Sequence, residues 1–149
     1  PELGRPSAGA PEPARLPGGA PEPGRLPAGA PDLTARLDAL AKLVAGATSA
    51  PALLVAAVVH GELLAVRPFA TANGVVARGA ARLTLVERGL DPRALIVPEV
   101  GHLARQPEYV GAAGAYATGT PDGVRSWLRH YATAATLGAA ETRTLANQL

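Results

Sequence analysis

Residues 60–78 read His60-Gly61-Glu62-Leu63-Leu64-Ala65-Val66-Arg67-Pro68-Phe69-Ala70-Thr71-Ala72-Asn73-Gly74-Val75-Val76-Ala77-Arg78. An apolar run stops at Arg67-Pro68, because proline drives the residue before it out of helical geometry. The next residues are small and polar, and Asn73-Gly74 is a turn pair that opens a second apolar stretch. The segment therefore predicts a helix, a turn and a second helix.

Upstream, residues 53–66 are apolar almost all round, which places their helix at the centre of a bundle. Ser49 is its expected cap, with Pro51 in its first turn, where a missing N–H costs nothing. Earlier still, Leu33, Leu37, Leu40 and Val44 recur at helical spacing from Asp32 onward, and Gly46 ends that run. Downstream, a helix from Gly74 to Arg88 is expected to turn Val75, Val76, Leu83 and Val86 inward and to close at Gly89. Asp91-Pro92 is read as the start of a short helical piece. Pro98, Pro107 and Pro121 read as first-turn prolines of further helices, ending near Arg105, near Thr118 and near the carboxyl terminus.

No alternating strand pattern appears, so the class is all-α, a bundle of about six or seven helices, with a plain up-and-down bundle as the generic alternative. The expected core is Leu37, Leu40, Leu53, Leu54, Val58, Leu63, Val76, Leu83, Val86 and Leu128. Two regimes divide the chain. Residues 1–30 form three blocks, PELGRPSAGA, PEPARLPGGA and PEPGRLPAGA. Their proline, glycine and alanine give little to bury, so they are read as a flexible, partly polyproline-II linker ahead of a helical domain over 31–149. A ligand for a proline-recognising domain is the alternative for the repeat.

Of the 149 residues, 48% are hydrophobic and 17% charged, which suits one globular domain with a core. Cysteine is absent, which excludes disulfides, thiolate metal sites and a cysteine nucleophile. A formal charge of +2 with 3% aromatic residues gives no nucleic-acid signature. The apolar run over 50–59 is too short to span a membrane, and no targeting segment is visible, so a cytoplasmic protein is expected.

Asn73-Gly74 at a helix start offers backbone N–H groups and the positive end of the helix dipole to an anion, with Arg78 one turn on and Arg67 before the turn. The competing reading is a simple turn between two helices with Arg78 facing solvent. His60 is expected to be a hydrogen-bonded core histidine. His102 and His130 have no second histidine or carboxylate at metal-ligand spacing, so no protein-bound metal is expected. Trp127 and Tyr131, like Tyr109 and Tyr116, suit packing between the last helices.

The stretch 67–78 resembles the signature of the Fic (Fido) family, H-P-F-x-[DE]-G-N-G-R-x-x-R. Pro68, Phe69, Asn73, Gly74 and Arg78 match it, whereas Arg67, Thr71, Ala72 and Val75 replace the His, the carboxylate, a glycine and the first arginine. The likeness extends over about residues 31–149. His60 and Glu62 fall where the family often has a His and a Glu, Glu108-Tyr109-Val110 resembles its Glu-Tyr-Tyr type segment, and residues 119–130 with Trp127 resemble its Asp-Leu-Thr-Pro-Trp segment. The family's preceding helices and β-hairpin flap have no counterpart, and the repeat stands there instead.

Family enzymes mostly move AMP from ATP onto a hydroxyl, with the motif His as base and the motif carboxylate holding Mg²⁺. Arg67 remains protonated at neutral pH and is no base, and Thr71 is a poor ligand for a hard dication. The resemblance thus implies a degenerate Fic-fold protein without adenylyl transfer, acting as a binding module. Asn73, Gly74, Arg78 and Arg67 would take a nucleotide or other phosphate-bearing ligand, ATP with Mg²⁺ among them, and a protein partner is the other candidate. The alternatives are an active transferase of AMP or phosphoryl groups with an altered mechanism, and a structural domain whose partner supplies the missing helices.

Overall fold

The computed structural model describes residues 33–148, and the expectations for residues 1–30 lie outside them. Six helices and no strand are present among the described residues: α1 (Leu33–Ala45), α2 (Ala52–Val66), α3 (Asn73–Glu87), α4 (Pro98–Ala104), α5 (Gln106–Ala117) and α6 (Pro121–Ala146). Pro98, Pro107 and Pro121 all occupy the first turns of their helices, as expected from a ring that fixes φ and needs no N–H partner there. Thr120 caps α6 by accepting the Gly123 N–H at 3.2 Å.

α2 lies at the centre, packed on α1, α3, α5 and α6, while α6 also runs along α4 and α5. Its burial follows from its sequence: Val55, Ala56, Ala57, Val59, His60, Gly61 and Ala65 are all buried. No helix of the described residues is long and apolar enough to cross a membrane.

Packing departs from the expected core. Small residues and aromatic rings fill the centre: Ala56, Ala57, Ala65, Ala81, Ala112, Ala113 and Ala117 surround Leu85, Tyr116, Trp127 and Tyr131. Alanine lets helix backbones approach closely, so most of the large aliphatic side chains, Leu85 excepted, have no room between them and move to the rim. On α3 the inward stripe is Ala77, Ala81, Thr84 and Leu85, whereas Val75 is 63% and Leu83 70% exposed, and Val76 too is exposed. Leu54 is exposed as well, and Leu37, Leu40, Leu53, Val58, Leu63, Val86 and Leu128 are only half-buried.

Gly61 and Gly101 mark two close approaches between helices. A Cβ on Gly61 would lie 2.7 Å from the Trp127 indole nitrogen, and one on Gly101 would collide with the α6 backbone at Ala134. Neither site has space for any side chain.

Two local readings are corrected. Pro51, not Ser49, stands at the α2 cap, and no side chain caps the helix; the Pro51 carbonyl accepts the N–H groups of Leu54 and Val55. Asp91-Pro92 starts no helix: the buried Asp91 carboxylate accepts the N–H groups of Leu95 (2.8 Å) and Ile96 (2.7 Å), which ties the segment into a turn.

The contrast between neighbouring leucines gives a direct test in urea. Leu85→Ala, at 1% exposure, is expected to lose about 2 to 5 kcal/mol of stability. Leu83→Ala should stay within about 0.5 kcal/mol of the parent. Equal losses at the two positions would contradict this arrangement of α3.

Candidate functional site

The junction between α2 and α3 is built by two left-handed residues and one asparagine. α2 ends where Arg67 turns to φ 50°, ψ 60°, with its N–H still donating to Leu63 O at 3.1 Å. After Pro68, the backbone of Phe69 is gripped from both sides by Asn73: the Phe69 N–H donates to Oδ1 at 2.9 Å, and Nδ2 donates to the Phe69 carbonyl at 2.7 Å. Asn73 is buried, so its amide replaces the water that this turn would otherwise need. Ala72, at φ 61°, ψ 16°, takes the conformation for which glycine is the usual residue, and Val75 and Val76 donate their N–H groups to its carbonyl as α3 begins.

A cavity of about 430 Å³ opens at this junction. Arg67, Thr71, Ala72, Asn73, Gly74, Val75 and Arg78 line it together with Leu64, Ala70 and Tyr109. Sequence reasoning thus named every polar wall residue except Tyr109, which comes from α5 and stands 31 residues along the chain from Arg78. Arg78 does not face open solvent. It is half-buried and folds back over the start of α3, where a Cβ on Gly74 would sit 3.3 Å from its Nη1.

The site's electrostatics are one-sided. Two guanidinium groups and the amino-terminal end of α3 meet here, and the wall holds no carboxylate. Mg²⁺ does not fit the protein side of this cavity: Thr71 offers a neutral hydroxyl, and the Asn73 oxygen is already used by Phe69. No three histidine, cysteine or carboxylate residues are grouped to hold a metal among the described residues.

Behind Tyr109 lies a polar interior that spacing along the chain did not reveal. All three histidines of the protein converge there. His60 lies 3.2 Å from the Tyr109 hydroxyl through Nε2, and His102 Nδ1 and His130 Nε2 are 3.0 Å apart. His60 is 1% exposed and its ring contacts His102, Trp127 and Tyr131 edge-on. His60 is thus the hydrogen-bonded core histidine expected, whereas His102 and His130, 28 residues apart, are paired although no metal spacing links them.

Burial holds all three imidazoles neutral. It lowers the His60 pKa well below the ordinary value, with His102 and Arg78 adding to the effect, and brings His102 down to about 3, with His130 and Arg78 contributing. His130 is lowered by burial also. Tyr109 is pushed up by burial, against which the Arg78 guanidinium at its hydroxyl pulls down.

On the other side of α2, Glu62 accepts a two-pronged contact from Arg36 of α1, at 2.7 and 2.9 Å, and the Tyr116 hydroxyl at 2.8 Å. This pair fastens α1, which has no buried residue of its own, to the centre. Glu62 therefore holds the bundle rather than lining the cavity.

Comparison of the chain with protein-family models, with curated proteins and with solved structures finds no match.

Two expectations test this geometry. Ala72→Gly relieves a left-handed alanine and is expected to raise stability by about 1 kcal/mol in urea titrations, the usual strain of that conformation; a loss would show that the turn is unstrained. The second concerns pH. Unfolded histidines take up protons near pH 6.5, while the buried ones resist until lower pH, so the unfolded state binds more protons as pH falls. Stability should be intact above about pH 6.5 and fall below it by up to about 1.4 kcal/mol per pH unit for each histidine, a loss continuing toward about pH 3 for His102. Equal urea midpoints at pH 7.5 and pH 5 would contradict neutral burial.

Proposed function

We propose that the cavity at the α2–α3 junction binds a phosphate-bearing ligand, such as a nucleotide, and that the chain is a degenerate Fic-type protein without adenylyl transfer. What carries the reading is the convergence of Arg67, Asn73, Gly74 and Arg78 on one wall. A guanidinium presents fixed N–H donors to phosphate oxygens, and the start of a helix adds its positive end. The cavity is several times the size of a water molecule, enough for a ligand with an organic part beyond its phosphate.

The chemistry of the wall argues against catalysis of the usual kind. Adenylyl transfer to a hydroxyl needs a group to take its proton, and Arg67 has no lone pair to offer. General-base assistance is typically worth roughly 10² to 10⁴ in rate, and the carboxylate that would hold Mg²⁺ is absent as well. The rival reading, a transferase with an altered mechanism, draws its support from the Tyr109–His60 pair at the cavity wall.

Calorimetry with inorganic pyrophosphate, ADP and ATP tests the binding. Arg78→Ala and Arg67→Ala are each expected to weaken pyrophosphate binding by roughly tenfold or more, as befits loss of a charge-assisted contact. Unaltered affinity in both variants would remove the cavity as the site. Incubation with labelled ATP, Mg²⁺ and candidate proteins is expected to leave all of them unlabelled. Labelling abolished by Arg67→Ala would establish the transferase reading.

A further inference from the structure

Tyr109 is the wall residue that the motif did not foretell, and its hydroxyl sits among three groups whose hydrogen-bonding options can be counted. A tyrosine oxygen carries one proton and two acceptor positions. Arg78 lines the same cavity beside Tyr109, and its guanidinium can donate hydrogen bonds but not accept one. His60 Nε2 is the second neighbour, at 3.2 Å. The cavity is the third side.

His60 decides where the tyrosine proton goes. The imidazole is neutral, so one nitrogen carries a proton and the other does not. Its Nδ1 is buried without a partner. If Nδ1 held the proton, a buried N–H would be orphaned, a rarer and costlier defect than an unused lone pair. With the proton on Nε2, His60 donates to Tyr109 and leaves only a bare lone pair behind. The 3.2 Å separation suits an N–H···O contact at the long end of the usual range. Because His60 donates to the tyrosine oxygen rather than accepting from it, the Tyr109 O–H is not used by the histidine, and the cavity that Tyr109 lines with Arg78 is the side open to it.

We propose that Tyr109 donates its hydroxyl hydrogen bond to the anion bound in the cavity, and that His60, as the Nε2–H tautomer, is the positioning residue that aims it. The assignment rests on the anion-binding reading above and adds to it a third donor, neutral and directional, beside the two guanidinium groups. The other charged and titratable groups around the pair do not compete for this proton. His102 contacts the His60 ring edge-on and uses its own Nδ1 on His130, and Glu99, on α4, influences Tyr109 through its charge. Tyr131 of α6 meets the His60 ring edge-on.

The test measures inorganic pyrophosphate affinity by calorimetry at pH 7.5 and the His60 tautomer by imidazole ¹⁵N resonance. Tyr109→Phe keeps the ring and removes the donor, and is expected to weaken binding by about tenfold to a hundredfold, the range of a hydrogen bond to a charged group. His60→Gln retains a donor at the Nε2 position and should stay within about threefold of the parent, whereas His60→Leu should lose affinity as Tyr109→Phe does. This rescue separates positioning from mere packing. In the wild-type chain, ¹⁵N shifts should show His60 with Nε2 protonated and Nδ1 bare, a measurement that holds even where a variant fails to fold. Protonated Nδ1, or pyrophosphate affinity unchanged in Tyr109→Phe, overturns the assignment. Failure of the wild-type chain to bind pyrophosphate at all would instead overturn the anion reading on which it rests.

Discussion

The close approach of α6 to α2 is the constraint on which the remaining structure depends. Trp127, wholly buried, lays its indole against the bare backbone of Gly61 and donates to the Ala57 carbonyl at 2.7 Å. That contact is possible only because position 61 has no side chain. It brings the last helix to the central one and sets the distance at which Tyr116, Tyr131 and the histidines must pack. A large aliphatic core would force these helices apart, and the alanines at 56, 57, 112, 113, 134 and 135 are the complement of the aromatic rings they admit. Once α2 is fixed between α3, α5 and α6, its carboxyl end and the start of α3 are fixed too, and the cavity lies where they meet.

How the cavity is held explains why its residues are not ordinary turn residues. Two consecutive bends of the chain, at Arg67 and Ala72, use the left-handed conformation without glycine. Each carries strain of roughly 1 to 2 kcal/mol. The Asn73 amide, bonded to both the N–H and the carbonyl of Phe69, is the counterpart that makes the bend the best arrangement available. Backbone groups at the start of α3 are thereby held in place by the protein itself, so ordering them would add no cost to the binding proposed above.

Much of this was legible along the chain, for reasons that differ by element. Helix starts at Pro98, Pro107 and Pro121, the stop at Arg67-Pro68 and the close at Gly89 follow from backbone rules that act locally, and they stand. The wall formed by Arg67, Asn73, Gly74 and Arg78 was likewise contained in one short stretch. Burial was harder to read. Hydrophobicity marked Leu54, Val76 and Leu83 for the core, but the choice between a leucine and an alanine depends on how close the neighbouring helix comes, which is set by Gly61 and Trp127, more than sixty residues apart. Tyr109 and the histidine cluster were out of reach for the same reason: no spacing rule brings together His60, His102 and His130 from three helices. The buried pair of Asp91 with its own downstream N–H groups was missed because Asp-Pro equally well begins a helix.

The three histidines also expose a limit on what that interior can satisfy. Two neutral imidazoles that share one hydrogen bond have two protons between them, and only one can lie in the bond. Whichever way His102 and His130 are arranged, a second N–H is left over, and His102 Nε2 and His130 Nδ1 are both buried without a partner. Adding a proton to the pair would leave two such donors and a buried charge, while removing one would leave an anion in the same place. The neutral pair is therefore the least unfavourable state, and its leftover N–H carries a cost of about 1 to 3 kcal/mol. His60 escapes that conflict because Tyr109 gives its proton an oxygen to meet, and the difference between the two arrangements makes Tyr109 the point at which the buried polar cluster opens onto the cavity.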